Sequence, residues 1–178
     1  MMISDCLSLG SANQKSSISN PQGSMTTGFL LGKFLPPHFG HMYLIEQAAL
    51  QCDHLTVLVC SIAREPIPGK LRHQWMRELF PQHDVLHCTD ENPQYPHEHP
   101  DFWAFWMRSI RRFVPAGPDL VFSSEDYGDE LAERLGARHV CIDQARTIMP
   151  VSGTAVRADP RAVWELIPPQ VQDYYRDC

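Results

Sequence analysis

The chain has 178 residues, enough for one domain with a sizeable core. Hydrophobic residues make up 43% and charged residues 20%, an ordinary globular balance, while a formal net charge of -6 and a pI near 5.8 argue against a broad nucleic-acid-binding face. No stretch approaches the roughly 18 consecutive apolar residues that span a bilayer, so neither nucleic acid nor membrane is an expected partner.

Residues 1–24 are rich in Ser, Asn, Gln and Gly and lack the basic start and apolar centre of a secretory signal. They read as a disordered lead, with residues 25–178 as the folded domain. From there, apolar runs alternate with helical patterns. Residues 28–32 read as a strand, 41–52 as a helix, 54–62 as a buried strand and 71–80 as an amphipathic helix. Residues 83–88 follow as a third strand, then a loop rich in Pro and His. Residues 101–114 read as a helix with Asp101 as its N-cap, 118–124 as a strand, 127–136 as a helix closed by Gly136, and 138–143 as a fifth strand. The tail carries a turn at 152–157 and two helical stretches, near 160–167 and 169–176. This alternation predicts an α/β fold, a Rossmann-like, doubly wound, five-stranded parallel sheet with a ligand beyond the carboxyl ends of its strands.

The six cysteines form no C-x-x-C pair. Cys60 and Cys141 lie in strand-like runs, where a thiol packs as a small hydrophobe. A reduced, cytoplasmic protein is expected.

The segment GKFLPPHFGH (32–41) follows the first strand and opens the first helix. Gly32 lets backbone approach a ligand, Gly40 and His41 stand at the helix start, and the adjacent prolines stiffen the loop. A helix N-terminus flanked by Lys33, His38 and His41 offers donors and positive charge to a polyphosphate. It is not a Walker loop, because Phe34 follows Gly32-Lys33 where Ser or Thr is needed. A closed metal site wants four ligands, and only His97 and His99 stand ready to complete the H-x-x-H pair, so no metal is expected on these histidines. Near the C-terminus, VSGTAVR (151–157) presents Ser152 and Thr154 hydroxyls and a planar Arg157 cation suited to phosphate oxygens, or, more plainly, an ordinary helix cap with a solvated arginine.

A strand followed by G-x-F-x-P-x-H-x-G-H, with V-S-x-T-x-x-R about 110 residues later, resembles the paired signatures of the nucleotidyltransferase superfamily. The aromatic helix around Trp103 and Trp106, with the stretches after it, is similar to the NMN adenylyltransferase domain of the bifunctional NMN adenylyltransferase/ribosylnicotinamide kinase family. The resemblance runs from about residue 28 to the end and lacks the kinase's phosphate loop, so kinase activity is not expected. It implies transfer of AMP from ATP to nicotinamide mononucleotide, giving NAD and pyrophosphate, with Mg²⁺ carried on ATP. It further implies that His38, His41 and Arg157 act at the reacting phosphates. Gly32, Lys33, Phe34, Gly40, Arg146, Ser152 and Thr154 surround ATP, and Trp103 or Trp106 stacks on nicotinamide. Other acceptors (nicotinate mononucleotide, phosphopantetheine, FMN or a CTP-dependent transfer) stay open, as do a non-catalytic nucleotide sensor and a homo-oligomer. The charged loop 64–72, with Arg64, Lys70 and Arg72, reads as surface.

Overall fold

The computed structural model describes residues 23–176. The expected disordered lead therefore lies outside the described residues, apart from its last two positions. Five short apolar runs form the strands β1 (Thr27–Gly32), β2 (His54–Cys60), β3 (Asp84–Cys88), β4 (Leu120–Ser123) and β5 (Arg138–Cys141). All pair in parallel, in the order β3-β2-β1-β4-β5. The chain winds outward from β1 to β3, returns to the other side of β1, and winds outward again. The reversal leaves a crevice beyond the carboxyl ends of β1 and β4.

Alternation along the strands supplies two faces. Leu30, Val57, Val59 and Phe122 pack with Leu44, Ile45 and Ala48 of α1 (Phe39–Ala49) and Met76 of α2 (Gly69–Leu79). Phe29, Leu58 and Val121 face the other way, onto Ile110 of α3 (Phe102–Phe113) and Leu131 and Ala132 of α4 (Tyr127–Leu135). A third cluster joins Leu35, Ile67 and Trp75 to Val156 of α5 (Gly153–Ala158) and Val171 of α6 (Pro169–Arg176). This cluster packs the C-terminal segment onto the loop after β1.

Several local expectations are corrected. The stretch 160–167 is not a helix. The Asp159 carboxylate accepts from the backbone N–H groups of Arg161 and Ala162, which turns the chain, and only Trp164–Leu166 makes a single 3₁₀ turn. Asp101 precedes α3 without a side-chain cap; its own N–H donates to His99 Nδ1. Helix α1 begins at Phe39, so His38, not Gly40 or His41, is its N-cap. Cys60 is buried as expected, but Cys141 is exposed.

Candidate active site

The chain leaves β1 and turns at Phe34, whose φ of 46° places it in the left-handed region. Gly32 was expected to let the backbone approach a ligand. A Cβ at Gly32 would stand 3.2 Å from the Phe34 ring, so the glycine makes room for the phenylalanine. The Phe34 ring is buried edge-on to His41, with centroids 4.9 Å apart. His38 sits in extended backbone, and its Nδ1 accepts from the His41 N–H at 3.4 Å. The two imidazoles stack with centroids 3.7 Å apart. Gly40 leaves room for this stack: a Cβ there would lie 3.0 Å from two atoms of the His38 ring, which would have to shift.

Burial, followed by the Arg146 charge, lowers the His38 pKa to about 4. Burial, the neighbouring His38 and Arg146 hold His41 well below the usual imidazole value. Both rings are therefore neutral near pH 7. Because Nδ1 of His38 accepts a hydrogen bond, its proton is on Nε2, which makes that atom a donor. His41 Nδ1 is buried without a hydrogen-bond partner.

The second motif meets the first at one carbonyl. Ser152 is the N-cap of α5, its Oγ accepting from Ala155 N–H at 3.1 Å, so the capping role weighed from sequence is real. A Cβ at Gly153 would fall 2.5 Å from the Leu35 carbonyl oxygen; only glycine lets α5 come this close. The Arg157 guanidinium donates to that same Leu35 oxygen and, at 3.4 Å, to Thr154 Oγ1. Arg157 is thus held by the first loop and is not simply solvated.

Beneath Lys33 lies an arrangement that sequence reading missed. Arg72 is fully buried, so it is not a surface cation of the 64–72 loop. It donates to the carbonyls of Ile67 at 3.0 Å, Cys60 at 3.5 Å and Lys33, and it pairs with the Glu65 carboxylate. Glu65 Oε1 lies 3.2 Å from Lys33 Nζ. One buried guanidinium therefore fixes the backbone of Lys33, and its carboxylate partner holds the ammonium. Arg64 does lie on the surface, its side chain 71% exposed and 3.8 Å from Glu98.

The opposite wall is α3 and the loop before it. Trp106 Nε1 donates to Pro93 O at 2.9 Å, while the Arg134 guanidinium lies 5.0 Å from the Trp103 ring centroid. Asn92 and Ser109, both buried, are joined at 2.8 Å, and Ser109 donates to Asp90, which also pairs with Arg112 at 2.7 Å. This network staples loop to helix. At the far edge, Arg146, with φ of 52°, reaches Glu125 at 3.3 Å. The buried Tyr127 hydroxyl donates to Leu31 O at 3.1 Å, and burial pushes its pKa up.

These walls enclose a cleft of about 640 Å³. Gly32, Lys33, Phe34, His38, Gly40, His41, Trp103, Trp106, Arg146, Ser152, Thr154 and Arg157 all line it. The residues that the resemblance placed at the phosphates, ATP and nicotinamide are thus brought together, whereas Arg64, Lys70, Arg72, His97 and His99 do not line the cleft. Among the described residues, no three His, Cys, Asp or Glu side chains group as metal ligands, and no helix is long and apolar enough to cross a membrane.

No family model matches the chain. The Escherichia coli (strain K12) trifunctional NAD biosynthesis/regulator protein NadR is 31% identical across 87% of this chain, which spans 42% of that protein. The chain thus covers well under half of this relative's length. The nicotinamide-nucleotide adenylyltransferase of Methanoculleus marisnigri is 29% identical over 86% of this chain and 92% of its own length. Among solved structures, a NadR protein in complex with NAD and AMP-PNP superposes with a TM-score of 0.58 at 22% identity, covering 81% of this chain and 45% of that one. A bifunctional NMN adenylyltransferase/ADP ribose pyrophosphatase from Francisella tularensis gives 0.58 at 13% identity, covering 83% and 44%. These two superpositions speak to the fold. The chain is similar in sequence to the NadR and nicotinamide-nucleotide adenylyltransferase proteins, and its described residues form a Rossmann-like α/β fold with a five-stranded parallel sheet.

Proposed function

We propose that the protein transfers AMP from ATP to nicotinamide mononucleotide, releasing NAD and pyrophosphate. The observation that carries this reading is the meeting of both signatures at the Leu35 carbonyl, in a cleft whose opposite wall holds Trp103 and Trp106. The Methanoculleus marisnigri relative, named a nicotinamide-nucleotide adenylyltransferase, supports this reaction, and the Escherichia coli relative is named for NAD biosynthesis.

The substrate brings its own nucleophile. A phosphate oxygen of the mononucleotide attacks the α-phosphorus of ATP, a new O–P bond forms, and the bond to pyrophosphate breaks. No protein nucleophile is needed; the residues position groups and stabilise charge. His38 offers Nε2–H, and His41 stands beside it for the reacting phosphate. Lys33, Arg146, Arg157, Ser152 and Thr154 hold the remaining phosphate oxygens, with Arg157 preset by Leu35. Magnesium enters as part of the MgATP substrate.

We assign the nicotinamide to Trp106. The Arg134 guanidinium already lies over the Trp103 ring, and a second cation there gains less. Trp106 is fixed by Pro93. The unpaired cysteines among the described residues suit a reducing compartment, so we place the reaction in the cytoplasm.

The test measures NAD and pyrophosphate formation from NMN and ATP. Wild type turns over, and His41→Ala loses about 10²–10³ in kcat with its fold retained by circular dichroism. Undiminished turnover in His41→Ala removes its assigned role. Turnover with another acceptor and none with NMN overturns the substrate.

A further inference from the structure

Strands β2 and β3 end side by side, and Cys60 stands directly opposite Cys88 in their parallel ladder. Residues paired in this way point to the same face of a sheet, and both sulfurs pack in the cluster that faces α3 and α4. Adjacent strands run about 4.8 Å apart, within the Cα separation that a disulfide spans. Both thiols are free.

Two buried cysteines are most simply small hydrophobes. Two features set this pair apart. Cys60 lines the cleft and is 6% exposed, and Cys88 beside it is 2% exposed, so only an oxidant small enough to pass the Cys60 side chain can meet the pair. The two thiols also differ in acidity. The Cys60 hydrogen bond, the Asp90 backbone N–H and the Arg112 charge bring Cys88 down to about 7, against burial and the Asp90 carboxylate. The Cys88 contact, burial and Glu65 push Cys60 well above the ordinary thiol value, with Arg72 acting the other way. One member is poised as a thiolate and its neighbour holds a proton.

We infer that Cys60 and Cys88 are a dithiol modification site, oxidised by hydroperoxides to an internal disulfide on the wall of the cleft. The Cys88 thiolate attacks a peroxide oxygen; the O–O bond breaks, and the departing hydroxide is protonated to water. The Cys60 sulfur then attacks the Cys88 sulfenic acid. The S–O bond breaks, the S–S bond forms, and the second hydroxide leaves as water with the Cys60 proton. Two thiols lose two electrons, and one hydrogen peroxide becomes two waters. The pair is coupled to the phosphate end of the cleft, because Arg72 donates to both the Cys60 and the Lys33 carbonyls.

The experiment treats the reduced full chain with hydrogen peroxide, alkylates remaining thiols, digests it and maps the cysteines by mass spectrometry. A peptide pair joined through Cys60 and Cys88, released by dithiothreitol, is expected. Its formation rate rises about tenfold from pH 6 to pH 8, following the thiolate fraction. In Cys60→Ala, Cys88 stops at the sulfenic acid and is trapped by dimedone. Recovery of Cys60 and Cys88 as free thiols after Cys52 and Cys141 have reacted overturns the inference, as does linkage of either to another cysteine. Mapping in wild type gives this answer whether or not the variants fold.

Discussion

At the scale of single residues, the two histidines make the stability of the fold a matter of pH. Unfolded, His38 titrates near 6.5; folded, it titrates near 4. Between those values the unfolded chain binds a proton that the folded chain refuses. The contribution is therefore complete above about pH 6.5 and is lost as pH falls toward 4. It amounts to roughly 3 kcal/mol from His38 alone. Denaturant melts across this window are expected to show the decline, and His38→Gln is expected to flatten it. Unchanged slopes would remove the link to this ring. A bound triphosphate reverses the balance by favouring the imidazolium. Calorimetry in two buffers of different ionisation enthalpy is expected to detect net proton uptake on ATP binding near pH 6. Gly153 is the other sensitive position. Gly153→Ala forces a methyl against the Leu35 carbonyl, so it is expected to cost about 1–3 kcal/mol and to raise the KM for ATP.

Residue types at fixed spacing made the cleft readable. His38, His41, Ser152, Thr154 and Arg157 carry their chemistry in short motifs. Arg72 does not. Its partners at Lys33 and Cys60 are far away in sequence, and nothing local separates a buried arginine from the exposed Arg64 in the same loop.

At the scale of elements, strand content was legible because short apolar runs rich in Val and Leu between polar turns admit few other readings. The tail was not, because a single carboxylate, Asp159, diverts residues 160–167 from a helix, and its hydrogen bonds leave no periodic trace. The same holds for the polar staple of α3. The apolar stripe announces the helix, while Asn92, Ser109 and Asp90 meet only once loop and helix are folded. Removing that staple tests its role. Asn92→Ala leaves the buried Ser109 hydroxyl short of a partner, and about 1–3 kcal/mol of stability is expected to go. If the loop also sets the tryptophan wall, the KM for NMN rises more than the KM for ATP. Equal changes in both would assign Asn92 to stability alone.

For the whole molecule, Arg72 is the point where the exits of β1 and β2 and the loop before α2 are tied together. Arg72→Ala leaves the Glu65 carboxylate with only Lys33 and the Ile62 N–H as partners and takes a donor from three carbonyls. The expected cost is about 3–5 kcal/mol, or a fall in Tm on the order of 10 °C. Arg72→Met combined with Glu65→Gln is expected to recover part of this, because it removes the unpaired charge with its partner. Additive losses in the double variant would argue that the two side chains act separately. The parallel, doubly wound sheet was legible in the repeated strand–helix alternation, whereas its order, β3-β2-β1-β4-β5, came only with the structure. The docking of α5 and α6 under Leu35 came only with the fold, because its contacts join the two ends of the domain.

That docking sets a timetable for synthesis. Leu35 emerges from the ribosome more than a hundred residues before Gly153 and Arg157. Throughout elongation, a chain can complete its sheet and still present only half of a phosphate cradle. On the proposed function, nucleotide capture waits for α5, and a chain stalled before Gly153 is expected not to retain ATP even when its strands are in place. Pull-down of ribosome-held chains on ATP-agarose, stalled just before and well after α5 has cleared the exit tunnel, would show this step directly.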